Sequence, residues 1–292
     1  MSIPTAAAPS RSALAFALTD ARGQVLAAQE PERPFYAAST IKLHVLLAAL
    51  RAGERRDLDL AATVPATRTF VGVDGRPFTL GGDHLDPTHP DDGVPVPVRE
   101  LLTRMIDRSS NEATDHVIEL IGLEAVAEAI ADLGLASTRV ERLIGDAAAL
   151  EQGLTNETSA ADLVRTVRAL TAPAPAPAPE PADGAAADGP RAGARAGLAG
   201  LSAGLSAPSR ALARTALAAQ QIRIIAAALR PDVPVGSKSG WVDGYRHDVA
   251  VIGDPGSEQV RHLAVMTAGM GEAEADAAIQ DRVRRLLPHL AR

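Results

Sequence analysis

Tyr36-Ala37-Ala38-Ser39-Thr40-Ile41-Lys42-Leu43-His44-Val45-Leu46-Leu47 sets a serine and a lysine three residues apart at the opening of an apolar helix. Three residues is close to one helical turn, so the two side chains share a face and the ammonium can sit beside the hydroxyl. A serine hydroxyl is a poor nucleophile until a neighbouring base takes its proton. A lysine held among apolar groups and other cations has its pKa lowered and can be that base. The pair is therefore a candidate acylation centre. Alone the spacing says little, because Ser39 would serve equally as a helix N-cap and Lys42 as a solvated helix residue. Its weight comes from what the rest of the chain sets beside it.

The chain has 292 residues, enough for one large domain or two small ones. Aromatic residues make up only 2%, so the core must be built from Leu, Val, Ile and Ala. A formal charge of −7 argues against a nucleic-acid or anionic-membrane surface, which needs clustered Lys and Arg. A small-molecule or peptide substrate fits this composition better. With no cysteine, disulfides, thiolate zinc sites and cysteine nucleophiles are all excluded. The N-terminal segment lacks the basic start and apolar h-region of a secretory signal, and no apolar run approaches the roughly 20 residues that span a bilayer. As written, the sequence predicts a soluble monomer, cytoplasmic unless a leader was removed, that needs no cofactor and no metal.

Residues 12–19 and 24–28 flank Asp20-Ala21-Arg22-Gly23, which carries turn chemistry, and predict an opening β-hairpin. A helix is expected from about Ser39 to Arg51. Residues 52–98 are rich in Asp, Gly, Pro and Thr and predict loop with short extended pieces. Helical spacing then runs from Pro97 to about Leu133, broken at Ser109-Ser110-Asn111. Another helix is expected from Thr158 to Leu170. Extended segments at 234–240, 247–253 and 259–267 need a sheet that the N-terminal hairpin completes, with a last helix at 272–290 covering one face. The Pro/Ala/Gly-rich stretch 171–208 has almost nothing to bury and predicts a flexible insertion within a single domain spanning 1–292. The pattern is α+β: an antiparallel sheet with helices beside it and a helical block.

Ser109-Ser110-Asn111 lies in a break between helices, where side chains can point into a cleft, and Lys238-Ser239-Gly240 ends an extended run. Separately, Asn111 would be an ordinary helix cap and Lys238 an edge-strand lysine. In the order Ser-x-x-Lys, Ser-x-Asn, Lys-Ser-Gly they resemble the penicillin-recognising serine hydrolases, most closely the class A β-lactamases and their relatives. The likeness extends over nearly all of residues 12–290 apart from the insertion, and includes Met105-Ile106, Trp241 and His247-Asp248. It implies the β-lactamase/transpeptidase-like fold and acyl transfer through Ser39, nominally β-lactam hydrolysis of the kind that confers antibiotic resistance. It further implies Lys42 as the base, Ser109 with Lys238 as the route for a proton to the leaving group, and Asn111, Ser239, Gly240 and Trp241 as substrate contacts. The backbone N–H groups of Ser39 and Trp241 would form the oxyanion hole.

The sequence departs from that family in one consequential place. Class A enzymes carry a glutamate that activates the deacylating water, and its position falls here on Ile144 or Gly145, neither of which is a base. Asp146, then Glu151, are the nearest carboxylates, which makes Asp146 the candidate substitute base. Failing that, the acyl-enzyme should be long-lived, or its acyl group should pass to an acceptor that brings its own nucleophile. An esterase, amidase or acyltransferase on another metabolite, and a penicillin-binding sensor, therefore stay open beside the lactamase. Arg142 is expected to pin the loop by pairing with Glu157, and Asp115 stands where relatives carry a loop-anchoring asparagine. His247 is expected to be a packed strand residue, and the Asp83–Asp92 cluster offers oxygen and imidazole ligands that an Asp/Pro-rich loop explains without a metal.

Overall fold

The computed structural model describes residues 11–82, 85–173 and 204–292. Its centre is a five-stranded antiparallel sheet, in which the expected hairpin, β1 (Ala13–Thr19) and β2 (Val25–Gln29), joins a meander of β10 (Val235–Val242), β11 (Tyr245–Ile252) and β12 (Arg261–Ala268). The order is β10-β11-β12-β1-β2, so the first strand of the chain pairs with the last, Phe16 opposite Val265. The hairpin turn is held by Asp20, whose Oδ1 accepts the backbone N–H of Arg22 and of Gln24.

Strand alternation distributes the apolar residues between two cores. Ala15, Ala17, Val249, Val251, Ala264 and Met266 join the cluster of the helical block, while Phe16, Leu18, Ala250, Ile252, Leu263 and Val265 join a second cluster with Ile279 and Val283. Ile279 and Val283 belong to the last helix, α7 (Glu272–Leu286), which packs on β11 and β12. Burial on both faces explains why these strands read as nearly continuous apolar runs although the sheet is antiparallel. The last helix stops at Leu286, short of the expected 290, because Pro288 cannot continue it.

On the other face a single 3₁₀ turn, Ala38–Ile41, leads into α1 (Lys42–Arg55). Around α1 lie α2 (Val98–Asp107), α3 (Asn111–Asp132), α5 (Ala160–Thr171) and α6 (Ala207–Ala218); α1 contacts α2, α3 and α5, and α6 packs on α2 and α5. Ten residues of α1 are buried, which is why its amphipathic pattern is blurred by apolar residues all round. Helix α3 is two helices joined at Gly122, whose φ of 81° breaks the helical path. The 52–96 region is loop with two small ribbons, β4 (Thr63–Pro65) with β7 (Pro95–Pro97) and β5 (Thr69–Val71) with β6 (Pro77–Thr79). A three-stranded ribbon of β3 (Phe35–Tyr36), β9 (Asn156–Thr158) and β8 (Arg139–Val140) ties the approach to α1 to the loop before the short α4 (Ala147–Glu151).

Residues 174–203, which make up most of the Pro/Ala-rich insertion, and Asp83 and His84 of the acidic loop lie outside the described residues. Among the described residues no helix is long and apolar enough to cross a membrane, and no group of three His, Cys, Asp or Glu side chains could hold a metal ion.

Candidate active site

The sheet and the helical block meet along a cavity of about 540 Å³. Its wall includes Ser39, Ser109, Asn111, Ser239 and Trp241, so residues from all three sequence motifs face one space. Ser39 comes from the 3₁₀ turn and Lys42 opens α1, and this i, i+3 placement sets their side chains nearly above one another. Lys42 Nζ lies 3.1 Å from Ser39 Oγ. Ser110 N-caps α3 through its side chain, which leaves Ser109 in the break and Asn111 on the first turn. Lys238 and Ser239 come from β10, an edge strand that passes against the 3₁₀ turn. Gly240 makes that approach feasible: a Cβ there would lie 3.1 Å from both Ala37 O and Thr40 N.

The amines lie beneath the hydroxyls. Lys42 and Lys238 are both 0% exposed. Lys42 Nζ donates to Ser109 O at 2.6 Å and to Asn111 Oδ1 at 2.7 Å, and both partners can only accept. A neutral amine has two N–H groups to give them, which leaves its lone pair for the Ser39 hydroxyl. Burial, and next the charge of Lys238, hold the Lys42 pKa well below its ordinary value. Burial also brings Lys238 down to about 7, against the opposing pull of Asp248. Asp248 is itself buried on β11, where desolvation raises it to about 7 and its Oδ2 accepts the Ile225 N–H. Ser109 Oγ lies between the amines, 3.3 Å from Lys42 Nζ and 2.9 Å from Lys238 Nζ. This is a continuous path for a proton from one lysine to the other.

Two residues of the cavity wall hold left-handed backbone without being glycine: Ala38 at φ 47° and Ser109 at φ 59°. Such conformations cost about 1–3 kcal/mol each and persist where surrounding structure over-determines them. They adjoin or include two of the three cavity serines, Ser39 and Ser109.

The loop wall differs from expectation in detail. Ile144 lines the cavity and brings no titratable group to it. Asp146, the candidate substitute, is engaged elsewhere: Oδ1 caps α4 at the Ala149 N–H and Oδ2 accepts the Val73 N–H at 2.9 Å. It does not line the cavity. Nor does Arg142 pair with Glu157, since Arg139 takes that partner at 2.6 Å. Arg142 turns inward instead, buried at 2% exposure, and donates to Tyr36 Oη and to Leu143 O. Asp115 does anchor the loop, its Oδ1 accepting the Ile144 N–H at 2.8 Å. Burial raises its pKa well above the usual carboxylate range. His247 is a packed strand residue: Nε2 lies 2.9 Å from Tyr36 O and Nδ1 accepts the Thr267 N–H, while burial lowers its pKa to about 4. Arg246 lines the cavity but is held by Asp276 through two bonds and by Glu272 at 3.2 Å, and Arg223 donates to Val235 O. Tyr36 was not singled out from the sequence. No periodicity or spacing marks it, because its place on the wall comes from pairing with β9 and Arg142.

A sequence model of the beta-lactamase enzyme family matches residues 5–176 and 197–290. Among solved structures the chain is similar to a β-lactamase from Sphaerobacter thermophilus DSM 20745, at 24% identity and a TM-score of 0.70 over 95% of this chain and 91% of that one. It is likewise similar to a β-lactamase from Xanthomonas campestris pv. campestris str. ATCC 33913, at 21% identity and a TM-score of 0.69, covering 96% and 92%. The structure of PBP-A matches at 18% identity and a TM-score of 0.68, covering 96% and 90%. No curated protein matches by sequence.

Proposed function

The chain belongs to the beta-lactamase enzyme family, and from that premise we propose that it is a serine acyl-enzyme hydrolase that opens β-lactam amides through Ser39. The observation that supports this most directly is the buried amine at Ser39: Lys42 Nζ is 3.1 Å from the hydroxyl, with its pKa held low by desolvation. Ser39 Oγ attacks the carbonyl carbon and its proton passes to Lys42 Nζ. The oxyanion is taken by the backbone N–H groups of Ser39 and Trp241. As the tetrahedral intermediate collapses, the C–N bond breaks and Ser109 gives its proton to the departing nitrogen, recovering one from Lys42 or Lys238. Lys238 and Ser239 receive a carboxylate of the substrate, with Gly240 keeping β10 close enough to reach it. Asn111 holds Lys42 in place and faces the substrate.

A second reading is favoured by the loop. Ile144 brings no base to the cavity and Asp146 is committed to two backbone N–H groups, so the acyl-enzyme would persist and the protein would act as a penicillin-binding trap. Alternatively, it would pass its acyl group to an acceptor carrying its own nucleophile, as an esterase or acyltransferase. One experiment separates these readings: a chromogenic cephalosporin, followed for turnover and for intact protein mass, with Ser39→Ala as control. Steady hydrolysis supports the lactamase, and a stoichiometric mass increase without turnover supports the trap. If Ser39→Ala changes neither signal, the nucleophile is another residue.

A further inference from the structure

Tyr36 is a residue of the cavity wall that the proposed mechanism leaves unused, although three contacts fix it in place. Its backbone pairs with Glu157 of β9, its carbonyl lies 2.9 Å from His247 Nε2, and its phenolic oxygen accepts a hydrogen bond from Arg142 Nη2 at 2.8 Å. The last contact sets a direction. A guanidinium only donates, so the phenol oxygen is the acceptor and its own proton has to be given elsewhere. Among the described residues, no protein group takes that proton.

The neighbouring polar groups of the same wall are already committed. Asn156 Oδ1 accepts the N–H groups of Glu141 and Arg142, and its Nδ2 donates to Arg142 O. Ile144 offers no polar side chain. Tyr36 thus lines the same cavity as Ser39, with its phenol oxygen fixed by Arg142 and its proton uncommitted among the described residues. Arg142 keeps it there, with its guanidinium carbon 5.9 Å from the ring centroid.

We infer that the Tyr36 O–H is a substrate-binding donor for an amide carbonyl oxygen on the acyl portion of the substrate, with Arg142 as its positioning residue. The assignment to the acyl portion rests on the proposed mechanism, which gives the leaving group and its carboxylate to Lys238 and Ser239 of the sheet. The preferred donors are then esters or amides whose acyl chain carries a further amide. A plain hydrocarbon acyl chain would leave this O–H desolvated without a partner, which is the costly outcome for a buried polar group.

The test compares Tyr36→Phe with the unaltered protein on two p-nitrophenyl esters of matched length, those of N-acetylalanine and of 2-methylpentanoic acid. The acylation efficiency ratio between amide-bearing and hydrocarbon ester should fall about tenfold in Tyr36→Phe. A structural defect would lower both esters together and leave the ratio in place, which would overturn the inference, as would a ratio that does not move. Binding gives a second readout that needs no turnover. Trp241 is the single tryptophan and lines the cavity, so in a Ser39→Ala background its fluorescence reports occupancy by N-acetylalanine methyl ester. Tyr36→Phe in that background should raise the Kd about tenfold, and an unchanged Kd would count against the donor role. Failure of the unaltered protein to be acylated by either ester would remove the hydrolase reading while leaving this binding result to stand or fall alone.

Discussion

Lys42 and Lys238 show how two identical side chains are given different work by their partners. Lys42 meets two acceptor-only oxygens, so that a neutral amine there would have its lone pair left for Ser39, whereas Lys238 donates to Ser239 O and to Ser109 Oγ. Because Lys238 titrates at about 7, it is charged below that pH and neutral above it. The KM of a carboxylate-bearing lactam should therefore climb as pH rises through 7, while that of a neutral ester should not. Asp248→Asn removes the charge that raises the Lys238 pKa, so the climb should begin at lower pH. Steady-state kinetics on both substrates from pH 5 to 9 reads each effect. The loop offers a second residue-scale prediction. Ile144→Glu puts a carboxylate on the cavity wall and should speed deacylation about 10–100-fold, read from the decay of the acyl-enzyme mass. Gly145→Glu should fail instead, since Gly145 holds φ 81° and a Cβ there would lie 2.7 Å from Leu80 Cδ2. Its cost should appear as about 1–3 kcal/mol of lost stability in denaturant titration.

Among the elements, the edge strand β10 and the 3₁₀ turn are the parts whose spacing the chemistry depends on. Gly240→Ala would add a methyl 3.0 Å from Thr40 Cγ2 and 3.1 Å from backbone atoms of the turn. The strand must then move off the turn, separating Lys238 from Ser109. Acylation should fall at least about tenfold, because displacements on the order of 1 Å are costly in a preorganised site. Stopped-flow acylation with a thermal melt on the same sample would test this. An acylation rate within twofold of the unaltered protein would show that the contact is not what aligns the site. Most elements were legible in the sequence for local reasons. Asp20 and Gly23 marked the first turn and the Ser109–Asn111 break its place between helices, whereas the helix expected from Thr158 begins after its N-cap at Ser159, Thr158 itself closing β9. The 3₁₀ character of Ala38–Ile41 and the interruption at Gly122 were not legible, since a lone glycine in an apolar helix does not announce a left-handed φ.

Across the whole molecule, the closing of the helical block on one face of the sheet buries both amines and so lowers their basicity. This has a consequence for stability. A lysine whose folded pKa is depressed to about 7, against 10.5 unfolded, leaves the unfolded chain holding more protons between those values. Stability should therefore rise with pH from about 7 towards 10, with Lys42 adding in the same direction. Lys238→Met should flatten the rise, as measured by chemical denaturation at several pH values, and an equal slope in both proteins would show that Lys238 is not titrating in the fold. Turn chemistry and the Ser39–Lys42 spacing were carried by the chain's own order, because each depends on backbone geometry within a few residues. What only tertiary structure decided was burial and distant partnership: Ser109 between two lysines, Asp146 bound to Val73, Arg142 turned to Tyr36. Those outcomes depend on which surfaces exclude water once sheet and helices close on one another, and no local pattern specifies that.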